Sequence, residues 1–144
     1  MSTIEKAIEI AAIAHAGDID KGGPPYIFHP IRLMLAVTTP SEQMAAVLHD
    51  TVEDTDITFN DLKEARFPQE VIDAVEALTK RNGESRLDAA ARAVVNPIAR
   101  IVKLADVTDN MDLSRIPNPT EKDFARLAEY KKVKCLLEAG PVTN

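Results

Sequence analysis

A histidine followed by three carboxylates makes residues 48–55 the part of this chain best suited to chemistry. His49 and Asp50 are adjacent, and Glu53 and Asp54 follow three and four residues after Asp50. If this segment is helical, His49, Asp50 and Glu53 share one side, because residues three and four apart are neighbours on a helix. One imidazole and several carboxylates repel one another when packed together and lose hydration, so they need a compensating cation. A divalent metal is the simplest one.

Two further segments supply a second histidine and a second aspartate. His29 precedes Pro30 at an expected helix start, and Asp106 ends the largely apolar stretch 101–105. Two histidines and two aspartates form a nitrogen and oxygen ligand set, which suits Mn, Fe or Mg better than a structural zinc site, where thiolates are favoured. Four protein ligands on a six-coordinate ion leave room for water and a phosphate oxygen, which is typical of metal-assisted hydrolysis.

Each of these residues also has a plainer interpretation when it is taken alone. His29 could be a helix cap or a surface residue, and the pair His49 and Asp50 could be the polar end of a helix. Asp106 could be a core carboxylate with satisfied hydrogen bonds. Taken together, ligation of a metal is the better interpretation of the set.

The ordered motifs resemble those of the HD-domain metal-dependent phosphohydrolases, and within them the alarmone hydrolases of the RelA/SpoT type. The matching segments are Ala14-His15-Ala16-Gly17, Lys21 with Pro25–Pro30, His49–Thr55, Leu78–Arg81, and Val102–Asp106 followed by Asn110. The resemblance covers roughly residues 4–137, nearly the whole chain. A bare His-Asp dipeptide is weak evidence, whereas the ordered set is specific. The resemblance implies an all-α fold, a single HD-domain helical bundle over residues 1–144.

The resemblance also implies roles for the residues of the candidate site. One divalent metal, with manganese as the expected ion, is held by His29, His49, Asp50 and Asp106. Glu53, with Asp54, orients and deprotonates the attacking water, a role that a carboxylate beside a metal can perform. The plainer interpretation of this pair is a solvated acidic helix end.

The substrate contacts that the resemblance implies are Lys21, Asn110, Lys103 and Lys80. Alternatives remain open for each of them: Lys21 as a solvated loop lysine, Asn110 as a polar helix surface, Lys103 as the ion-pair partner of a ligand carboxylate, and Lys80 as a basic residue at a helix C-terminus. His15 is expected to be a buried, hydrogen-bonded histidine, and Tyr26 to pack the loop with its hydroxyl bonded nearby. Cys135 is expected in the core or on an oligomer face.

Three positions depart from the pattern of the alarmone hydrolases. Those enzymes carry an arginine before the lysine matched to Lys21, and its guanidinium packs against the purine; Asp20 stands there instead and reverses the charge. Asp18 stands where those enzymes have a loop glutamine. Val107 stands where they often have a basic residue, directly after the aspartate matched to Asp106. The base and phosphate contacts therefore differ, and hydrolysis of a phosphate ester or pyrophosphate is better supported than guanosine tetraphosphate as the substrate.

The predicted function is metal-dependent removal of pyrophosphate or phosphate from a nucleotide, with (p)ppGpp 3′-pyrophosphohydrolase as the leading interpretation. One alternative keeps the chemistry and changes the nucleotide. Another is a metal-bound nucleotide-binding or regulatory module without turnover. The expected partner is a small-molecule nucleotide, with no nucleic acid and no membrane, and an oligomer is compatible with the sequence.

Composition limits the other classes of function. The 144 residues suffice for one domain with a sizeable core, and 45 % hydrophobic content is ordinary for a globular protein. The net charge of −6 argues against general nucleic-acid binding, which needs a basic surface. No apolar run approaches membrane-spanning length and no basic region followed by an apolar stretch occurs at the N-terminus, so neither a membrane span nor a secretory signal is expected. Cys135 is the only cysteine, so a reducing cytoplasm is expected.

The pattern of apolar residues, prolines and capping residues predicts helices joined by short loops. The first is expected over 3–16, with a capping box from Ser2 and Glu5, and the second begins at Pro30 and ends near Thr38. A third, beginning at Pro40, is expected to carry the whole His49–Asp54 motif in its C-terminal half. The remaining helices are predicted over 60–66, 68–79, 85–94, a segment that opens at Asn96-Pro97 and reaches Asn110, and 120–140.

Overall fold

The computed structural model describes residues 2–141, which form nine α-helices and one turn of 3-10 helix, with no regular strand in that range. The helices are α1 Ile4–Ala14, α2 Phe28–Ala36, α3 Pro40–Leu48, α4 Thr51–Asp54, α5 Phe59–Glu64, α6 Gln69–Leu78, α7 Arg86–Ala93, α8 Pro97–Asn110 and α9 Glu121–Ala139, with the 3-10 turn at Leu113–Arg115. The all-α prediction is confirmed. The domain bounds 1–144 stay a prediction, since residues 1 and 142–144 lie outside the described range.

Local capping sets where several of these helices begin. Reciprocal capping boxes start α3, α5 and α7, and their cap residues are Thr39, Thr58 and Ser85. Asn96 starts α8 by accepting a hydrogen bond from the Ala99 backbone N–H at 2.9 Å. Each cap satisfies backbone donors that the first turn leaves free, so these boundaries follow from the local sequence.

The first helix begins differently from the prediction. Thr3, not Ser2, is the N-terminal cap of α1, and its hydroxyl accepts from the Lys6 backbone N–H at 3.3 Å. The Ser2 hydroxyl instead donates to the Ala65 carbonyl, which ties the start of the chain to the end of α5. The capping box of Ser2 with Glu5 was therefore a wrong prediction, and α1 also ends two residues earlier than expected.

The single helix predicted through the His49–Asp54 motif is interrupted. α3 ends at Leu48, Asp50 has φ −103° and ψ 0°, and α4 begins at Thr51. The buried Thr51 hydroxyl donates to the Leu48 carbonyl at 2.8 Å, which satisfies a backbone acceptor at the break. The break places His49 and Asp50 at the junction of α3 and α4 rather than within a regular helix.

The core is arranged around α3. Residues 44–48 are all buried, and α3 is in contact with α1, α2, α6 and α8. A second, smaller cluster joins α7, α8 and α9 and contains Val107, Val133 and Leu137. Cys135 lies on the exposed side of α9, which excludes the core and leaves an oligomer face, the other of its two expected places, as a prediction. Within residues 2–141, no helix has both the length and the apolar character needed to cross a membrane.

Candidate functional site

The four predicted metal ligands converge from three places in the fold. α2 contributes His29, the junction of α3 and α4 contributes His49 and Asp50, and α8 contributes Asp106. His29 Nε2 lies 2.9 Å from Asp106 Oδ1, and His49 Nε2 lies 3.1 Å from Asp50 Oδ2 and 3.7 Å from Asp106 Oδ1. The candidate ligand atoms of His29, His49 and Asp50 all lie within 4.8 Å of one another.

Both histidines present one ring nitrogen to this cluster and use the other as an anchor. His49 Nδ1–H donates to the Ala46 carbonyl at 2.8 Å, and His29 Nδ1–H donates to Asp109 Oδ2 at 2.6 Å. Histidines that bind metals are held in this way, by a carbonyl or carboxylate on the far nitrogen. His49 Nε2 is buried, lacks a hydrogen-bond partner among the described residues and faces two carboxylates. An imidazole nitrogen that faces carboxylate oxygens needs a proton or a metal cation between them, and this set of nitrogen and oxygen donors fits a divalent metal.

The electrostatics of the cluster also indicate a need for positive charge. Burial alone would lower the pKa of His49, but Asp50 and Asp106 outweigh it and raise that pKa well above its ordinary value. Burial alone would raise the pKa of Asp106, yet Lys103 and the two histidines hold it well below the ordinary range. Without metal the carboxylates draw protons onto the imidazoles, and metal binding would release those protons.

Asp109 and Arg32 support the cluster and were not predicted from the sequence. Arg32 donates to Asp109 through Nε at 2.8 Å and Nη2 at 2.9 Å, while Asp109 accepts from His29. Arg32 follows His29 by three residues, and Asp109 follows Asp106 by three. The same three-residue spacing occurs on two facing helices, and this sequence signal could have identified Arg32 and Asp109.

Tyr26 and His15 form the wall behind Asp50. The Tyr26 hydroxyl donates to Asp50 Oδ2, which confirms the prediction that this hydroxyl is bonded nearby. Burial, followed by the charge of Asp50, raises the pKa of Tyr26, so it remains a proton donor. His15 is buried as predicted, with its ring centroid 4.8 Å from that of Tyr26. Its predicted hydrogen bond is absent, since Nδ1 is 3.6 Å from Asp18 Oδ2.

Glu53 and Asp54 lie on α4, on the solvent side of the cluster. One carboxylate oxygen from each of Asp50, Glu53 and Asp54 lies within 4.8 Å of the other two. Glu53 Oε1 accepts from the Lys80 backbone N–H at 2.6 Å. Burial, then the charges of Asp50 and Glu53, raise the pKa of Asp54 to about 6. A carboxylate with that pKa can take a proton near neutral pH.

A cavity of about 280 Å³ opens beside the cluster. Its lining includes three metal-ligand candidates, His29, Asp50 and Asp106, with Glu53, Asp54, Lys21, Lys103 and Asn110. Asn110 Nδ2 donates to Asp106 Oδ1 at 3.0 Å, and Lys103 Nζ donates to Asp106 Oδ2 at 3.1 Å. The ion pair of Lys103 with the candidate ligand Asp106 is therefore present, and its contact with a phosphate stays a prediction.

Two residues of the cavity wall were not predicted from the sequence. Arg86 and Tyr130 line it, with the Arg86 guanidinium carbon 5.0 Å from the Tyr130 ring centroid. They come from α7 and α9, and neither carries a motif that would single it out. Lys80 lines an adjacent cavity of about 210 Å³, which shares Asp50, Glu53, Arg86 and Lys103 with the first.

The loop that departs from the alarmone hydrolase pattern lies at the mouth of the site. Asp20 Oδ2 is 3.9 Å from Arg32 Nη2, and Lys21 Nζ is 3.9 Å from Asp123 Oδ1. Asp20 and Lys21 also line a small cavity that includes Arg115 and Arg126. The carboxylate at position 20 thus lies near both cations and carboxylates supplied by other elements.

Comparison with known proteins places this geometry in a family, although no family model matches the chain. A solved structure of a metazoan SpoT ortholog, described as hydrolysing ppGpp, superposes with a TM-score of 0.80 and 26 % sequence identity, over 99 % of this chain and 89 % of that one. A guanosine-3′,5′-bis(diphosphate) 3′-pyrophosphohydrolase of Aquifex aeolicus is 33 % identical over 120 residues. The chain belongs to the RelA/SpoT-like HD-domain family.

The RelA/SpoT-like relatives are much longer than this chain. The Aquifex protein matches over 75 % of the chain and 17 % of its own length. A probable GTP pyrophosphokinase of Mycobacterium leprae is 33 % identical over 92 % of the chain and 18 % of its own length. The chain therefore spans about a fifth of the curated relatives it matches, and the similarity is confined to one RelA/SpoT-like HD domain.

Proposed function

We propose that this RelA/SpoT-like HD domain is a metal-dependent hydrolase that removes the 3′-pyrophosphate of (p)ppGpp. The observation that carries the proposal is the coincidence, on one cavity, of ligand candidates from three segments and the carboxylates of Glu53 and Asp54. Similarity to a chain described as hydrolysing ppGpp supports the substrate. The bond cleaved joins the 3′-pyrophosphate to the ribose, and the reaction takes place in the cytoplasm.

His29, His49, Asp50 and Asp106 hold the metal in this proposal, and the ion is Mn²⁺. Nitrogen and oxygen ligands without a thiolate favour such an ion over structural zinc. When bound, a divalent ion supplies Lewis-acid chemistry, lowering the pKa of water and neutralising charge on phosphoryl oxygens. Tyr26 orients Asp50 through its hydroxyl, and Asp109 orients His29.

Glu53 and Asp54 have different roles toward the attacking water. Glu53 is fixed by the Lys80 backbone N–H and orients the water. Asp54, whose carboxylate lies within 4.8 Å of those of Asp50 and Glu53, takes the proton. Both lie one helical turn beyond Asp50, which brings their oxygens to the metal-binding side of the cavity.

The phosphate groups are bound by cations around the two adjacent cavities. Lys21 and Lys103 line the larger one, and Lys80 lines the smaller. Asn110, already bonded to Asp106, places its amide beside the metal site and contacts the nucleotide. These local cations offset the net charge of −6, which otherwise repels a polyanionic substrate.

A different nucleotide is the second candidate substrate. Asp20 favours it, because a carboxylate stands at the cavity mouth where alarmone hydrolases carry a stacking arginine. A carboxylate cannot stack as a cation on a purine, but it accepts hydrogen bonds from a base or a ribose hydroxyl. With a different nucleotide as the substrate, the proposed chemistry at the metal is unchanged.

The test is Mn²⁺-dependent release of pyrophosphate from guanosine tetraphosphate beside a panel of other nucleotides. Asp50→Ala should abolish release, whereas Asp73→Ala, an exposed aspartate bonded to Gln69 on α6, should leave it unchanged. Turnover of another nucleotide alone would replace the substrate and keep the mechanism. Binding of Mn²⁺ and nucleotide without any turnover would instead indicate a binding or regulatory module.

A further inference from the structure

Few contacts restrain the carboxylate of Glu53. It lies exposed on α4, a helix of four residues, and among the described residues its only hydrogen bond comes from the Lys80 backbone N–H. A short exposed helix does not by itself fix a long side chain in one rotamer. The direction of the Glu53 carboxylate therefore depends on the direction of the peptide group between Thr79 and Lys80.

Arg92 binds the other side of that same peptide group. From α7 its Nη2 donates to the Thr79 carbonyl oxygen at 2.8 Å, the carbonyl of the peptide whose N–H faces Glu53. A trans peptide is planar, with its C=O and N–H pointing in opposite directions, so fixing the oxygen fixes the direction of the N–H. A cation on the oxygen also polarises the peptide and strengthens the N–H as a donor.

The remaining donors of Arg92 hold it in place. Its Nε donates to Glu84 Oε2 and its Nη2 donates to Glu84 Oε1, both at 2.8 Å. The contact is therefore bidentate and charge-assisted. Glu84 also accepts from the Arg81 backbone N–H at 2.6 Å, so the segment 79–84 is closed on itself. The hydrogen bond from Arg92 holds the pKa of Glu84 at about 2, and the pair stays ionised at every working pH.

We propose that Arg92 is a positioning residue for Glu53 and acts through the Thr79–Lys80 peptide. The inference rests on the proposed function, in which Glu53 orients the water. Arg92 lines neither of the two cavities beside the metal cluster, so it acts without contacting substrate. Loss of Arg92 lowers kcat by releasing Glu53, while substrate affinity is retained.

The first comparison uses Arg92→Met, which keeps the aliphatic stem, and Arg92→Lys, which keeps the charge. Arg100→Met is the matched control, because Arg100, like Arg92, donates to a backbone carbonyl, with Nε 2.7 Å from the Leu137 carbonyl oxygen on α9. We expect kcat to fall about 10- to 100-fold in Arg92→Met with KM within about twofold. Arg92→Lys should recover part of the loss, and Arg100→Met should retain the wild-type kcat.

A second readout does not depend on turnover. Exchange of the Lys80 amide hydrogen, followed by NMR, should become roughly tenfold faster in Arg92→Met, as loss of a charge-assisted hydrogen bond predicts. Arg100→Met should leave that exchange rate unchanged. This readout still tests the link between Arg92 and Lys80 if the wild-type protein hydrolyses none of the nucleotides, an outcome that would overturn the proposed function separately.

Substitution of Lys80 tests the peptide directly and serves if Arg92→Met does not fold. Proline lacks an N–H, and Thr79, with φ −85° and ψ 117°, already has a conformation that can precede proline. Lys80→Pro should lower kcat about 10-fold or more relative to Lys80→Ala, which removes the side chain and keeps the N–H. Equal kcat in these two variants, or unchanged Lys80 exchange in Arg92→Met, would overturn the inference.

Discussion

The two candidate histidine ligands differ in how they are anchored. His49 relies on a backbone carbonyl that no substitution removes, whereas His29 relies on the side chain of Asp109. Asp109 is itself fixed by Arg32, so the orientation of His29 depends on a hydrogen-bonded pair outside the ligand set. This difference makes His29 the candidate ligand whose support can be tested without changing any of the four candidate ligands.

Asp109→Asn should weaken Mn²⁺ binding about 10- to 100-fold, because the amide is a poorer acceptor for the imidazole N–H. Titration of Mn²⁺ followed by electron paramagnetic resonance measures the affinity. Asp73→Asn is the control, since Asp73 lies exposed on α6 and is bonded to Gln69, away from the support of His29. Equal affinity in the two variants would show that His29 needs no such anchor.

Asp54 should make the metal-free protein less stable as pH rises. Its pKa is raised to about 6 in the folded state, against an ordinary value near 3.9, so folding favours the protonated form. That contribution is present below about pH 4 and is lost as pH passes 6. In urea unfolding with a chelator, Asp54→Asn should therefore gain stability over wild type at pH 7.5 relative to pH 4. An equal difference at both values would contradict the prediction.

Residue chemistry and the resemblance to the HD-domain family together selected the candidate ligands but not the contacts around them. His29, His49, Asp50 and Asp106 could be selected because they form a nitrogen and oxygen ligand set and occur in the order of the family's motifs. Arg86 and Tyr130 could not, because their place on the cavity wall depends on how α7 and α9 pack against α8. The hydrogen bond from Lys80 to Glu53 uses a backbone group, which no side-chain pattern reports.

At the scale of the elements, the break between α3 and α4 decides the geometry of the site. The buried Thr51 hydroxyl satisfies the Leu48 carbonyl there. Thr51→Val should cost about 1–3 kcal/mol of unfolding free energy, because a buried acceptor is left without a partner. Thr108→Val removes an equivalent bond, to the Leu104 carbonyl at 2.7 Å, from an exposed position and should cost less. Urea unfolding of both variants gives the comparison, and equal losses would count against the role of the break.

Most helices were predicted within two residues, because their ends carry capping residues or prolines. The break at Asp50 was not, because residues 44–52 keep a helical apolar pattern across it and no glycine or proline marks it. The true cap at Thr3 was also missed. The local sequence favours Ser2 as the cap, because it forms a capping-box motif with Glu5. The Ser2 hydroxyl is instead bonded to Ala65, distant in sequence, and Thr3 caps the helix.

At the scale of the whole molecule, the metal should behave as a structural linker. Its candidate ligands come from α2, the α3–α4 junction and α8, so an unfolded chain offers no assembled site. Mn²⁺ at 100 times its Kd should add about 2.7 kcal/mol to the unfolding free energy. Urea unfolding with and without Mn²⁺ measures the gain, and Asp50→Ala should remove most of it. A gain that persists in Asp50→Ala would place the ion elsewhere.

The contact between His29 and Asp106 also bears on when the protein can acquire its metal during synthesis. The two residues are 77 positions apart, and the bond from His29 to Asp109 spans 80. A nascent chain leaves the ribosome from its N-terminus, so three candidate ligands emerge long before the fourth. A chain halted before α8 carries two histidines and Asp50 without the helix that closes the site. We therefore expect metal loading to follow synthesis of α8, since a translation product truncated before α8 lacks Asp106 and has no assembled candidate site.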